Sequence, residues 1–251
     1  MQVLQKILLF HVLTCLGQNG HGSEIIHGEK VPETSMQYMV SVQNDQGHVC
    51  GGFLVSENFV VTAAHCGEVE TTHVVLGTHN LKNADVKNYR LIEEKFKPKT
   101  YENIGKGSDI MLLKLSTKAE IDNSVQTIQL PETGMNMKEG QQCRVAGWGK
   151  TYTHGHVTNE LRMASVSVIS QEVCKYKWSG LPPNVICAGG YGTNKGFCQG
   201  DSGGPLVCNG IAVGVVSFNK YMNCNYPDVP NVYTEISKYV YWINSIIKHQ
   251  E

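Results

Sequence analysis

Short apolar stretches separated by Gly, Asn, Pro and Asp run through most of the chain. "GGFLVSENFVVTAAHC" (51–66), "THVVLGTHNL" (72–81), "DIMLLKL" (109–115), "CRVAGWG" (143–149) and "GIAVGVVSF" (210–218) have strand length and are rich in β-branched or aromatic residues. Strands at this density, with turn signals between them, predict an all-β barrel or sandwich. The polar, Pro-containing stretch at 117–137 is expected to join two halves. Only the C-terminus reads as a helix. Ile236, Tyr239, Val240, Ile243, Ile246 and Ile247 recur at steps of three and four and mark one apolar face. That helix is expected to dock on the second half.

The first 22 residues break the pattern. One early lysine, an apolar run from Ile7 to Leu16 and a small-x-small end, Gly20-His21-Gly22, read as a secretory signal peptide over 1–22. The other reading of that run is a buried N-terminal helix. Removing 1–22 takes Cys15 away and turns nine cysteines into eight, an even number suited to four disulfides in an exported chain. No C-x-x-C pair occurs, and the spacings fit no zinc ribbon, so no metal and no cofactor are expected. With 251 residues, a formal net charge of −1 and 17% charged residues, the chain can bury a large core. Nothing in it suggests a nucleic-acid or membrane partner.

One stretch carries chemistry. "GFCQGDSGGPLVC" (196–208) sets Ser202 beside Asp201 and among glycines. A serine hydroxyl is a weak nucleophile until a base takes its proton, and the base must be held in the right tautomer. "VVTAAHC" offers His65, and "SDIMLLKL" offers Asp109, a lone carboxylate running into an apolar strand. The same glycines also match G-x-S-x-G, the nucleophile elbow of α/β-hydrolases. That fold orders its residues Ser…Asp…His, and the only histidine after Ser202 is His249. A catalytically dead relative kept as a binding module is a further alternative.

These residues resemble the chymotrypsin-like (trypsin-fold) serine proteases. The resemblance covers the chain from "IIHG" at Ile25 through "TAAHC", "DIMLLKL", "AGWG" and "GDSGGPL" to "PNVYTEI" and the final helix. It implies two antiparallel six-stranded β-barrels packed together with a C-terminal α-helix, in a single protease domain over 25–251. It implies His65 as general base, Asp109 as its orienting acid, Ser202 as nucleophile, and an oxyanion hole from the N–H groups of Gly200 and Ser202. It also implies the bridges Cys50–Cys66, Cys143–Cys208, Cys174–Cys187 and Cys198–Cys224. Many members carry a calcium loop after the segment reading "VVLGTHNL" here; Thr78 stands at the first acid's place, so no calcium site is expected.

The resemblance further implies that Ile25 becomes the mature N-terminus and that its amine pairs with Asp201. Ser23-Glu24 (23–24) is then an activation dipeptide. An acidic dipeptide resembles the granule proteases of immune cells (granzymes, mast-cell chymases, cathepsin G), which a dipeptidyl peptidase trims. Chymases and several granzymes lack the fourth bridge, and the near-neutral charge differs from their basic members; a digestive or plasma protease is the alternative. The substrate pocket is expected from Gly196, Phe197, Ser217, Phe218, Asn219 and Asn231. Trypsin-like members carry Asp where Gly196 stands, so tryptic specificity is rejected and a small to medium uncharged residue is expected before the cut bond. Expected partners are protein or peptide substrates and serine protease inhibitors. The protein is expected to be a monomer, secreted or stored in granules.

Overall fold

A computed structural model describes residues 25–226 and 228–250; the expected signal peptide and the Ser23-Glu24 dipeptide lie outside the described residues. Of thirteen strands among the described residues, twelve build two closed antiparallel barrels of six strands each. A short strand β1 (Glu29–Lys30) comes first. The first barrel holds β2 (Met39–Asn44), β3 (Gly47–Leu54), β4 (Phe59–Thr62), β5 (His73–Val75), β6 (Tyr89–Phe96) and β7 (Met111–Leu115), closed in the order β2-β3-β4-β7-β6-β5. The second holds β8 (Gln142–Gly147), β9 (Arg162–Ile169), β10 (Val185–Ala188), β11 (Pro205–Cys208), β12 (Ile211–Phe218) and β13 (Val232–Glu235). Its order is β9-β10-β13-β12-β11-β8, closed by pairing of β8 with β9. β1 pairs with the start of β9 at Arg162 and Met163, while β10 pairs with its end at Val168 and Ile169. Residues 116–141 carry the chain from β7 to β8 without a strand of their own.

The near-continuous apolar run of β12 has a structural reason. Val213 and Val216 fill the second barrel, while Ala212 and Val215 join the core of the first. A strand wetted on neither face needs no polar alternation. β6 is the opposite case, mostly exposed and charged, which is why hydrophobicity does not announce it. The disulfides are Cys50–Cys66, Cys143–Cys208, Cys174–Cys187 and Cys198–Cys224.

Helix α1 (Gln171–Trp178) lies between β9 and β10, where the sequence suggests none. Its only buried residue is Cys174, so no apolar face repeats along it; Ser170 caps it by accepting from the Val173 N–H at 3.4 Å. Helix α2 (Val240–Gln250) forms near its expected place, but its docking surface needs correction. Tyr239, Val240 and Ile243 bury into the cluster containing Val40, Phe53, Val61 and Leu113, which is the first barrel's core, and Lys114 donates to Gln250 at 3.2 Å. The apolar stripe fixes which face is buried, not what covers it. A 3₁₀ turn at Ile236–Lys238 carries the chain across the seam between barrels.

Candidate active site

Two adjacent strands place the first pair of groups. In the antiparallel β4–β7 pair, Thr62 faces Met111, so the end of β4 lies beside the start of β7. His65 follows β4 by three residues, on a 3₁₀ turn pinned by buried Ala64 and Cys66. Asp109 precedes β7 by two and is 1% exposed. The histidine is held at two points: its backbone N–H donates to Asp109 Oδ1 at 2.9 Å, and ring Nδ1 donates to Oδ2 at 2.8 Å. Ser217, on β12, donates its hydroxyl to the same Oδ2 at 2.5 Å, and Thr234, on β13, donates to the Asp109 carbonyl at 2.8 Å. Burial works to raise the Asp109 pKa. The hydrogen bonds and charge of His65, with the Ser217 bond, overcome it and hold the carboxyl below its ordinary range. With Nδ1–H committed to the carboxylate, neutral His65 presents Nε2 as a proton acceptor.

Ser202 comes from the other barrel, on the loop before β11. Its carbonyl accepts from the Gly51 N–H at 2.8 Å and lies 3.8 Å from the sulfur of Cys66, His65's neighbour. The Ser202 hydroxyl makes no hydrogen bond to His65 in this structure; the seam brings the residues together and leaves that contact open. Around it the glycines have different tasks. Gly200 takes φ +97°, open to few residues but glycine, and a Cβ there would lie 2.9 Å from Gly149 Cα and from Val157. At Gly203 a Cβ would collide with Thr62 Oγ1 of the first barrel, so this glycine lets the loop cross the seam. The N–H groups of Asp201, Gly203 and Gly204 donate to Cys198, Val216 and Asp201 carbonyls. Those of Gly200 and Ser202 have no backbone acceptor among the described residues, and two free donors so close together can stabilise an oxyanion.

His48 went unnoticed in the sequence. Its Nε2 donates to the Gly200 carbonyl at 2.8 Å, while Nδ1 accepts from Ser41, whose oxygen accepts from Gln43 at 2.9 Å. Burial lowers its pKa to about 4, so the ring stays neutral and keeps this tautomer. The chain of bonds braces the Gly200 peptide from β2 and β3. A single histidine in a strand carries no sequence signal for such a role.

Asp201 is fully buried and accepts from the Gly149 N–H at 2.8 Å and the Cys198 N–H at 2.9 Å. Burial pushes its pKa up to about 7 despite these bonds. Ile25 is fully buried in the second barrel's core, Gly28 N–H donates to its carbonyl at 2.6 Å, and Ile26 bridges to Gly196.

The expected pocket residues divide. Gly196 and Asn231 lie in contact: a Cβ on Gly196 would fall onto Asn231 Oδ1 and sit 2.6 Å from the ring of Tyr226. Asn231 is fully buried, accepts from the Phe197 N–H at 3.2 Å, and leaves Nδ2 without a partner among the described residues. Phe197 turns its ring into the core, edge-on to Tyr233 at 5.2 Å. Ser217 serves Asp109, and Phe218 stands edge-on to Trp178 at 5.1 Å. Asn219 donates to Tyr226 Oη at 3.1 Å and to the Asn223 carbonyl at 3.2 Å. Tyr226, which sequence reasoning passed over, donates to the Phe197 carbonyl at 2.5 Å.

Cys50, His65 and Cys66 are the one grouping of possible metal ligands among the described residues, and both cysteines are consumed by their disulfide, so the set offers no thiolate. No helix among the described residues is long and apolar enough to cross a membrane.

Comparison with known proteins adds the lineage. The Trypsin family profile matches residues 25–243. Duodenase-1 of Bos taurus is 36% identical over 247 residues, 96% of each chain. Granzyme B(G,H) of Mus musculus is 37% identical over 257 residues, covering 97% of this chain and 99% of its own. Chymotrypsin-like elastase family member 1 of Rattus norvegicus is 34% identical, covering 97% of this chain and all of its own. The solved structure of neuropsin, a serine protease expressed in the limbic system of mouse brain, superposes with a TM-score of 0.80 at 32% identity, covering 88% of this chain and 98% of that one. A family match across both barrels, and relatives above 30% identity along nearly the whole length, establish that this chain belongs to the trypsin family of serine endopeptidases.

Proposed function

We propose that the protein cuts peptide bonds through an acyl-enzyme formed on Ser202. His65 Nε2 takes the proton from the Ser202 hydroxyl as its oxygen bonds to the scissile carbonyl carbon. The negative charge moves to the carbonyl oxygen, met by the Gly200 and Ser202 N–H groups. Asp109 balances the imidazolium. The tetrahedral adduct collapses as His65 gives its proton to the leaving amine, which leaves an ester on Ser202. Water, deprotonated by His65, then releases the acid and restores the hydroxyl. The observation that carries this reading is the two-point clamp of His65 on a buried, ionised Asp109.

Activation follows from the buried carboxyl. Cutting before Ile25 would create an ammonium on a residue whose side chain is buried in the second barrel's core and whose neighbour Ile26 bridges to Gly196, which supports a pairing with Asp201. Ile25 holds φ at 45°, a left-handed conformation that costs a β-branched residue about 1–3 kcal/mol. Removing Glu24 lifts that constraint and supplies a cation for Asp201, whose neighbours Gly200 and Ser202 form the oxyanion site. A dipeptidyl peptidase acting on Ser23-Glu24 fits this step, and the likeness to a granzyme supports secretion through storage granules. Serine protease inhibitors would enter the same cleft, and the protein works as a monomer.

Specificity is non-tryptic. Gly196 offers no charge, and the groups behind it are the amide of Asn231 and the phenol of Tyr226, so the preferred side chain before the cut bond is uncharged and small to medium. The test is titration of the protein trimmed to Ile25 with a small fluorophosphonate, beside its Ser202→Ala variant. One label per wild-type chain and none on the variant is the expected result. A wild-type chain that takes no label is a binding protein, not an enzyme.

A further inference from the structure

The pocket of this reading already has an occupant. Tyr226 lies with its ring against Gly196, and its hydroxyl bridges the two walls by donating to the Phe197 carbonyl and accepting from Asn219 Nδ2. Both hydrogen-bonding capacities of the phenol are satisfied, which is what a half-buried phenol needs to stay in place. The loop that carries it is fastened on both sides. Cys224 is bridged to Cys198 and its N–H donates to Thr153 Oγ1 at 3.0 Å, while Gln199 donates to the Met222 carbonyl at 3.0 Å. Tyr221 and Met222 both take left-handed φ, 55° and 53°, so the rim is a bent segment held by its neighbours. A surface hollow of about 230 Å³, lined by Lys220, Tyr221, Asn225, Tyr226 and Val229, lies on this loop and includes none of Gly196, Ser202 or Ser217. Tyr226 thus contacts both the hollow and Gly196.

We propose that Tyr226 is the floor of the primary specificity pocket, filling the volume a large substrate side chain would enter and limiting the residue before the cut bond to the size of glycine, alanine or serine. Gly196 is then a glycine to make room for the protein's own Asn231 and Tyr226, since any side chain there meets them first. The proposal rests on the endopeptidase reading for its consequence, and on packing alone for the filled pocket.

The test uses the protein trimmed to Ile25 and its Tyr226→Ala and Tyr226→Val variants, with three measurements. Hydrolysis of peptides differing only before the cut bond should favour alanine over phenylalanine in the wild type. In Tyr226→Ala the phenylalanine-to-alanine ratio of kcat/KM should rise on the order of 10–100-fold. Indole should bind Tyr226→Ala, in the space left by the ring, and not the wild type. If Tyr226→Ala does not fold, Tyr226→Val reads the same shift with leucine in place of phenylalanine. An unchanged ratio with no indole binding overturns the proposal, as does a wild type that prefers phenylalanine. Fluorophosphonate labelling judges the endopeptidase reading separately. If neither protein takes label, that reading falls and indole alone decides: binding to the variant only upholds the filled pocket, and equal or absent binding overturns it.

Discussion

The corner that holds His65 and Asp109 and the loop that holds Tyr226 are built in opposite ways. The corner sits at the ends of two paired strands, with hydrogen bonds arriving from β12 and β13 of the other barrel. The described residues between 219 and 231 lie in no named strand and are fixed by a disulfide, side-chain bonds and two residues of left-handed φ. His65 and Asp109 are placed where the backbone ladder sets positions, whereas Ser202 lies on a loop. Tyr226 is placed by single side-chain contacts, so one substitution there can alter its surroundings without disturbing the ladder.

The sharpest break of this contrast is at the nucleophile. Ser202→Ala should lower kcat by about 10⁶-fold while leaving the unfolding midpoint nearly unchanged, since its hydroxyl bonds nothing in the fold. Steady-state kinetics beside urea denaturation would read both. A variant retaining a tenth of wild-type turnover would remove Ser202 from the reaction.

Next in size is the pH response of Asp201. In the chain that keeps Glu24, its carboxyl holds a proton up to about pH 7, against about 4 when unfolded. The folded state therefore binds the proton more tightly, and stability falls as pH rises from about 4 to 7, by about 4 kcal/mol. Tyr226 and Tyr233, the phenols that feel its charge, stay neutral throughout this window. His48 acts with the opposite sign, reducing stability as pH falls from about 6.5 to 4, in trimmed and untrimmed protein alike. The difference between the two forms isolates Asp201. Denaturation midpoints at pH 4.5 and 7.5 should converge at the lower pH and separate at the higher, and parallel curves would refute the pairing of Ile25 with Asp201.

A smaller effect tests the brace on the oxyanion loop. His48→Ala removes the donor to the Gly200 carbonyl and should cost about 10²-fold in kcat, with less change in KM, as loss of one oxyanion donor does. Equal kcat in variant and wild type would show that the Gly200 peptide holds itself. Smallest is Thr234→Val, which deletes the bond to the Asp109 carbonyl. It should lower stability by about 1 kcal/mol, or about 2–4 °C in Tm, with kcat within a few-fold.

The same contrast explains what could be read from the sequence. His65, Asp109 and Ser202 each sit in a short local pattern, and strands β4, β5, β7, β8 and β12 declare themselves through apolar runs. Strand β6 hides because its outward face is charged, and α1 because it buries a single residue. The apolar stripe of α2 was legible, but not that its cover is the first barrel, because periodicity carries no partner. The pocket was least legible. Gly196 told of a missing charge, but whether its space belonged to substrate or to Tyr226 depends on the path of a loop with no repeating pattern.

The crossing of α2 also sets an order of assembly. The first barrel leaves the ribosome early, yet its core cluster is completed by Tyr239, Val240 and Ile243, which follow all thirteen strands. Ser108, next to Asp109, likewise waits for the hydroxyl of Tyr239, 3.2 Å away. A nascent chain stalled anywhere within the second barrel therefore carries an unfinished first one, with its acid not yet fixed. The corner that holds Asp109 is finished only once the last helix is in place.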